Sequence, residues 1–373
     1  MPANHRRRTS GLAAAALAAL ATAGAAPAGA APAATGSASA AGAAHLLAEV
    51  GAAAQESALE YWTPERLAAA RPASADAPAP DGGPAPDAGT ATTTGASAPS
   101  TDGTDGTDEE GTQVRTLAGG DAPLLTRRQR STAAVVTGGA VTVATPWTGD
   151  PAITSKVGRL FFTQGGLPYE CSASSVEAGN ESVVVTAGHC LSEAGHTSTN
   201  VIFVPGLAGS EQPYGRWSAT RTFTTPQWLQ EDQRTPAALN HDVGFVVLGR
   251  QDGTTLADRV GALDLAFDAP LDRVTVFGYP AAGRGGDGST LQHCTGWRFP
   301  DTGGTTDQGT LCDMGGGSSG GPWLSGFDPA AGTGTVTSVV SFSYSSAPER
   351  LYGPRLGAVE REVYEQAAAV VVP

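Results

Sequence analysis

Along the C-terminal two thirds of the chain, short runs of apolar and β-branched residues recur at intervals, separated by Gly, Pro, Asn and Asp. Runs rich in Val, Phe, Ile and Thr over 158–163, 182–186, 200–204, 243–248, 273–277 and 336–344 predict strands, because such side chains pack well on a pleated surface. From Gly357 onward the pattern changes: Val359, Val363, Tyr364 and Ala367 recur at helical spacing, which predicts one terminal helix. Many short strands with turn signals and a single closing helix imply an all-β barrel or sandwich. The stretch 131–373, roughly 240 residues, suits one large domain.

The N-terminal third reads differently. Arg6, Arg7 and Arg8 precede an uncharged Ala/Leu run from Leu12 to Ala26, and Ala28-Gly29-Ala30 offers small residues where a signal peptidase cuts, so residues 1–30 read as a signal peptide. The apolar run is short of the roughly 20 residues a membrane span needs, so a secreted protein without a membrane span is expected. Residues 31–130 read as a low-complexity, largely disordered pro-region or linker, dominated over 31–120 by Ala, Gly, Pro, Thr, Ser and Asp, with too little apolar surface to offset the entropy of ordering. One island stands out at 59–67, where Tyr61 and Trp62 precede Thr63 and Pro64. Thr at a cap and Pro in the first turn predict a short helix there, either local to the linker or docked on the following domain as a pro-segment. The basic cluster at Arg127, Arg128 and Arg130 marks the boundary and a plausible site of processing.

A net charge of −14 argues against nucleic acid or an anionic membrane as partner, since both require a basic face. Cys171, Cys190, Cys294 and Cys312 in an exported chain read as two disulfides; three pairings are open, with neighbours in sequence the natural partners. No Cys-x-x-Cys pair is present, which disfavours structural zinc.

Three segments carry candidate chemistry. The run 315–322 places Ser318 and Ser319 among glycines, whose backbone admits unusual dihedrals and close approach of a ligand to N–H groups. A serine hydroxyl needs a base to take its proton. His5 falls in the signal segment and His45 in the low-complexity one, while His196 and His293 read as loop and surface or packing residues. His189 alone directly ends a hydrophobic strand, next to Cys190, where a turn and a disulfide would fix its ring. An imidazole in this role needs a buried carboxylate, and Asp242 at the head of an apolar strand is the candidate.

The segments 186–190, 242–244 and 317–322 together resemble the three signature segments of chymotrypsin-fold, trypsin-like serine proteases, in that family's order of His, Asp and Ser. The resemblance spans about 131–373 and implies two six-stranded antiparallel β-barrels. It implies Ser319 as nucleophile, His189 as base, Asp242 as the orienting acid, and the N–H groups of Gly317 and Ser319 as the oxyanion hole. Ser341, Phe342 and Ser343 resemble the strand that pairs with the substrate backbone, and Cys171 with Cys190 the bridge beside the catalytic histidine. Asp313, six residues before Ser319, falls where trypsin-like enzymes place the floor of the primary pocket. Ser318 stands where animal digestive members carry Asp, so activation without an N-terminal salt bridge is expected. Rival hydrolases fit less well: α/β-hydrolases place the histidine after the serine, and no histidine follows Ser319. The expectation is a secreted, monomeric serine endopeptidase acting on protein or peptide through an acyl-enzyme, without a cofactor. The alternatives are a catalytically inactive binding or regulatory module on the same fold and a surface-tethered hydrolase acting on esters.

Overall fold

The computed structural model describes residues 45–73, 75–77, 140–230, 232–283 and 286–373. The predicted signal segment, the basic cluster at 127–130 and the predicted boundary at 131 lie outside them.

Six antiparallel strands close into a barrel. Val157–Gln164 pairs with Leu167–Val176, which pairs with Val183–Thr186, then Gly244–Leu248, Trp217–Thr224 and Thr199–Pro205, and the last returns to the first. Leu160, Phe162, Cys171, Val184, Phe203 and Val246 fill the interior. The outward positions are buried as well: Val183, Val185, Phe245 and Val247 face a second apolar cluster that includes Val363 and Ala367 of the C-terminal helix. Burial on both faces explains why these strands read as unbroken apolar runs rather than as alternation.

The second half of the domain is built from two further sheets. One holds Asp264–Leu265, Thr333–Val339, Pro322–Asp328, Arg273–Gly278, Gln292–Trp297 and Val141–Pro146; the other holds Phe299–Pro300, Gln308–Leu311, Arg350–Gly353, Phe342–Tyr344 and Ala75–Ala77. Val274, Val276, Met314, Trp323 and Leu351 share one core, with the Cys294–Cys312 disulfide inside it. The other disulfide joins Cys171 to Cys190, so both bridges link sequence neighbours. The predicted run 336–344 is interrupted: Val340 leaves the ladder to exchange hydrogen bonds with the glycine loop, accepting from Gly320 N–H at 2.7 Å and donating to Gly321 O at 2.9 Å.

The terminal helix spans Ala358–Ala368, as the spacing predicts. Its buried Glu360 accepts the Gly357 N–H at 2.7 Å and bonds His241 Nδ1 at 2.6 Å. No helix of the described residues is long and apolar enough to cross a membrane.

Within the N-terminal region, the described residues 45–73 form elements that their composition does not predict. His45–Glu49 adds a strand antiparallel to Trp217–Thr224, the helix Ala52–Tyr61 follows, and Pro64–Ala68 forms the predicted helix with Thr63 accepting from Arg66 N–H. The island is docked: Trp62 is fully buried against Phe161, Ile202, Val204 and Leu207 of the barrel. Its indole N–H donates to Asn200 O at 2.6 Å, and Arg216 donates to the Trp62 carbonyl at 2.6 Å. Alanine supplies helix propensity without bulk, so one large aromatic anchors a segment whose mean composition looks unfoldable.

Asp307 is fully buried, and neither of its carboxylate oxygens has a hydrogen-bond partner among the described residues. Burial, reinforced by the nearby charges of Asp242, Asp301 and Glu360, pushes its carboxyl well above the ordinary range. The folded state therefore holds this proton more tightly than the unfolded chain. The stabilisation is complete below the unfolded value of about 3.9 and is lost as pH rises through the raised folded value. Asp307→Asn is expected to flatten that loss and raise Tm at neutral pH, checked by thermal unfolding from about pH 4 to about pH 8.

Candidate active site

The strand Val183–Thr186 ends in a single 3-10 turn, Gly188–Cys190, tied to the neighbouring strand through Cys190 and Cys171. This fixes His189 at the barrel rim. A Cβ at Gly188 would lie 2.9 Å from Thr224 Oγ1 and 3.0 Å from Asp242 Oδ1, so the missing side chain lets the acid approach. Asp242 follows the short helix Pro236–Leu239 and is fully buried. Its Oδ1 accepts the His189 backbone N–H at 2.7 Å, and its Oδ2 lies 2.8 Å from His189 Nδ1. Ser341 donates to the same Oδ2 at 2.5 Å. A carboxylate facing Nδ1 makes that nitrogen the donor and leaves Nε2 as the basic one. Burial by itself depresses the His189 pKa, but the charge and hydrogen bond of Asp242, helped by the charge of Glu193, more than offset it and hold the imidazole above its ordinary value.

The glycine loop is held from below by one serine. Ser172 donates its backbone N–H to Ser319 O at 2.7 Å and its hydroxyl to Gly317 O at 2.9 Å, and the same hydroxyl accepts from Tyr279 N–H. Gly317 and Gly320 have φ of 91° and 80°, in the left-handed region that favours glycine. A Cβ at Gly320 would fall 2.1 Å from Thr186 Oγ1, 2.3 Å from Ser172 O and 2.8 Å from Ala187 N, so Ser319-Gly320 lies directly against the segment leading into His189. Ser318 turns away, donating its hydroxyl to Gly315 O at 2.7 Å. The Gly317 N–H donates to the Ala73 carbonyl at 2.9 Å, and Ser319 Oγ donates to the same oxygen at 3.2 Å. His189 Nε2 has no hydrogen-bond partner among the described residues.

A cavity of about 640 Å³ opens beside Ser319, lined among others by Asp313, Ser341, Phe342 and Ser343. The Asp313 carboxylate accepts the Ala144 N–H at 2.6 Å, so it anchors the strand Val141–Pro146, whose Thr142 and Val143 form part of the wall. The remaining described histidines lie elsewhere. His196 is exposed in a two-residue hairpin strand, His241 pairs with Glu360, and His293 packs on Trp147 and Phe277 with Nδ1 at Thr145 O. His45, expected in a disordered stretch, opens the first strand. Ser172 escaped the sequence reading; its only signal is its place directly after Cys171. The role of Ser341 toward Asp242 was equally hidden, because the two are joined only by folding.

Among the described residues, the one group of His, Cys, Asp and Glu side chains close enough to share a metal ion is Cys171, His189 and Cys190, and both sulfurs are consumed in the disulfide. Residues 145–354, more than half of the chain, match the family model "Trypsin". The solved protease Anisep from Arthrobacter nicotinovorans is similar at 38% identity and a TM-score of 0.55, over 61% of this chain and all of that one. The thermostable serine protease AL20 from an extremophilic microorganism is similar at 34% identity and a TM-score of 0.53, over 59% of this chain and all of that one. An extracellular metalloprotease of Bacillus subtilis (strain 168) shares 32% identity over 89 residues, which is 24% of this chain; the match spans about a quarter of that curated relative's length. A β-barrel domain with a serine set in a glycine loop against a buried His–Asp pair, matched over most of its length by this model and by two serine proteases, belongs to the trypsin family: the chain is a trypsin-like serine endopeptidase.

Proposed function

We propose that this is an exported endopeptidase in which Ser319, His189 and Asp242 form the catalytic triad. The observation that carries the reading is the Ala73 carbonyl: a peptide oxygen already sits within hydrogen-bond distance of both the Gly317 N–H and Ser319 Oγ. Donors fixed by the Gly317 dihedral meet a developing oxyanion without reorganising, which is where most of the rate acceleration arises. Ser319 Oγ attacks the substrate carbonyl carbon while His189 Nε2 takes the hydroxyl proton. The resulting oxyanion accepts from the N–H groups of Gly317 and Ser319. Collapse breaks the C–N bond, and the leaving amine takes the proton from His189. Water then attacks the acyl ester on Ser319 as His189 Nε2 takes its proton; collapse breaks the ester C–Oγ bond, releases the acid, and Ser319 Oγ recovers a proton from His189. Asp242 holds the tautomer and stabilises the imidazolium throughout.

The substrate backbone pairs along Ser341, Phe342 and Ser343, and the cavity beside them takes the side chain preceding the cleaved bond. Asp313 borders this cavity with one carboxylate oxygen bonded to Ala144. Assays with Arg-, Phe- and Glu-ended peptides will rank the pocket's preference. Export rests on the arginine-led apolar segment at the N-terminus and on two disulfides, which persist in oxidising compartments.

The direct test is a fluorophosphonate probe followed by peptide mapping on the form freed of its N-terminal segment. Label is expected on Ser319 alone, and Ser319→Ala should remove it together with at least a 10⁴-fold share of the hydrolytic rate, roughly the loss seen when a triad member is deleted. Label retained by Ser319→Ala would assign the chemistry to another serine.

A further inference from the structure

We infer that the groove over Ser319 binds an extended peptide running opposite to a substrate, and that residues 71–73 and 75–77 of the same chain are that ligand; the inference rests on the protease reading above. Arg71–Pro72 lies parallel to Leu167–Val176, with Arg71 opposite Tyr169 and Pro72 opposite Glu170, and the Ala73 N–H donates to Glu170 O at 2.9 Å. Downstream, Ala75–Ala77 lies parallel to Phe342–Tyr344, with Ala75 opposite Phe342 and Ala77 opposite Tyr344. Between these two ladders the Ala73 carbonyl accepts from one of the two proposed oxyanion donors, the Gly317 N–H, and from Ser319 Oγ.

The direction follows from which half lies beside the cavity. The primary pocket reads the residue that supplies the cleaved carbonyl, so the acyl half of a substrate must run along Ser341–Ser343, which line that cavity. Here the half after the Ala73 carbonyl runs along this edge, and the half before it runs along the opposite one. A chain laid the other way round would pair antiparallel with both edges, the more stable ladder. The Ala73 side chain agrees with this placement: it is buried in the barrel cluster containing Cys171, Cys190 and Leu191 and is not among the residues lining the cavity.

Reversed threading blocks the site without offering a cleavable geometry. Ser319 Oγ is engaged as a donor to Ala73 O, His189 Nε2 is left without a partner among the described residues, and both side chains are buried. The segment is held from upstream by the buried Trp62 and by the strand His45–Glu49 on the barrel edge. Because it belongs to the same chain, its effective concentration at the groove is in the millimolar range, far above that of a free substrate.

The experiment compares the secreted full chain, the same chain after limited trypsin cleavage at Arg115, Arg127, Arg128 or Arg130 and dilution, and full-chain Trp62→Ala. Readouts are the rate of fluorophosphonate labelling, hydrolysis of a peptide substrate, and the mass of residues 45–77. The intact chain is expected to label about 100-fold more slowly than the cleaved, diluted form. Trp62→Ala is expected to recover most of that factor. In every form the bond after Ala73 should stay intact over many substrate turnovers. A second variant, Ala73→Phe, separates the two polarities: a reversed segment is loosened by the bulk and the full chain gains activity uncut at residue 73, whereas a substrate-like segment is cut there. Cleavage after residue 73, or an intact wild-type chain as reactive as the cleaved form, overturns the inference while leaving the protease reading in place. Failure of all forms to label or hydrolyse removes both.

Discussion

Replacing Asp242 by asparagine is expected to lower kcat of the form freed of its N-terminal segment by about ten-thousand-fold, with KM little changed. The amide preserves the shape of the carboxylate but offers an NH₂ donor where His189 Nδ1–H now finds an acceptor at 2.8 Å. The imidazole would then favour the opposite tautomer and present N–H rather than a lone pair to Ser319. The same substitution removes the charge that lifts His189 against the depressing effect of burial. Neutral imidazole is the active form, so a lower pKa extends activity to more acid pH, and the acidic limb of the residual pH–rate profile should move down. A variant that kept wild-type kcat, or whose acidic limb stayed in place, would show that Asp242 neither orients nor charges the base. Folding is controlled for by near-UV circular dichroism.

The second large effect is expected on stability. Gly320→Ala places a methyl group 2.1 Å from Thr186 Oγ1 and 2.3 Å from Ser172 O, at a φ of 80°. Left-handed strain on a residue with a side chain and overpacking against fixed atoms each cost about 1–3 kcal/mol. Their sum, on the order of 4 kcal/mol, corresponds to a Tm drop of about 10 °C in a domain of this size. Activity should fall as well, because relieving the clash requires the Ser319–Gly320 peptide to move away from the Thr186–Ala187 segment that leads into His189. Thermal unfolding and kcat measured on one preparation will show both, and a Tm within about 2 °C of wild type would mean the loop yields more readily than its contacts imply.

Four of the six barrel strands were legible because their apolar runs are nearly continuous, whereas Leu167–Val176 and Trp217–Thr224, rich in Ser and Thr, were not. Val183–Thr186 and Gly244–Leu248 are covered on both faces, by the barrel interior and by the cluster beneath the C-terminal helix, so no polar alternation dilutes the signal. Gln292–Trp297, Gln308–Leu311 and Arg350–Gly353 were not legible. Their buried positions include Gln292, Gln308 and Thr310, polar residues that fit a core only once partners such as Arg298 for Gln308 are in place. The same contrast holds at the site. His189 and Ser319 announce themselves by local context, a strand end beside a cysteine and a serine among glycines. Ser172 does not, and neither does the contact of Ser341 with Asp242, because both rest on partners 145 and 99 residues away along the chain.

The sequence by itself predicted a β domain closed by a helix, and it named the three side chains proposed to do the chemistry. Each of these is written in short-range patterns: periodicity, and glycines around a serine. Only the tertiary structure decided that the Ala73 carbonyl accepts from the Gly317 N–H and Ser319 Oγ, and that the strands on either side of it run parallel to their neighbours. Strand direction and backbone hydrogen bonds between distant segments leave no mark on composition, since any extended residue can supply the same N–H and carbonyl. They are fixed by anchors such as Trp62, whose burial sets where the following residues must run.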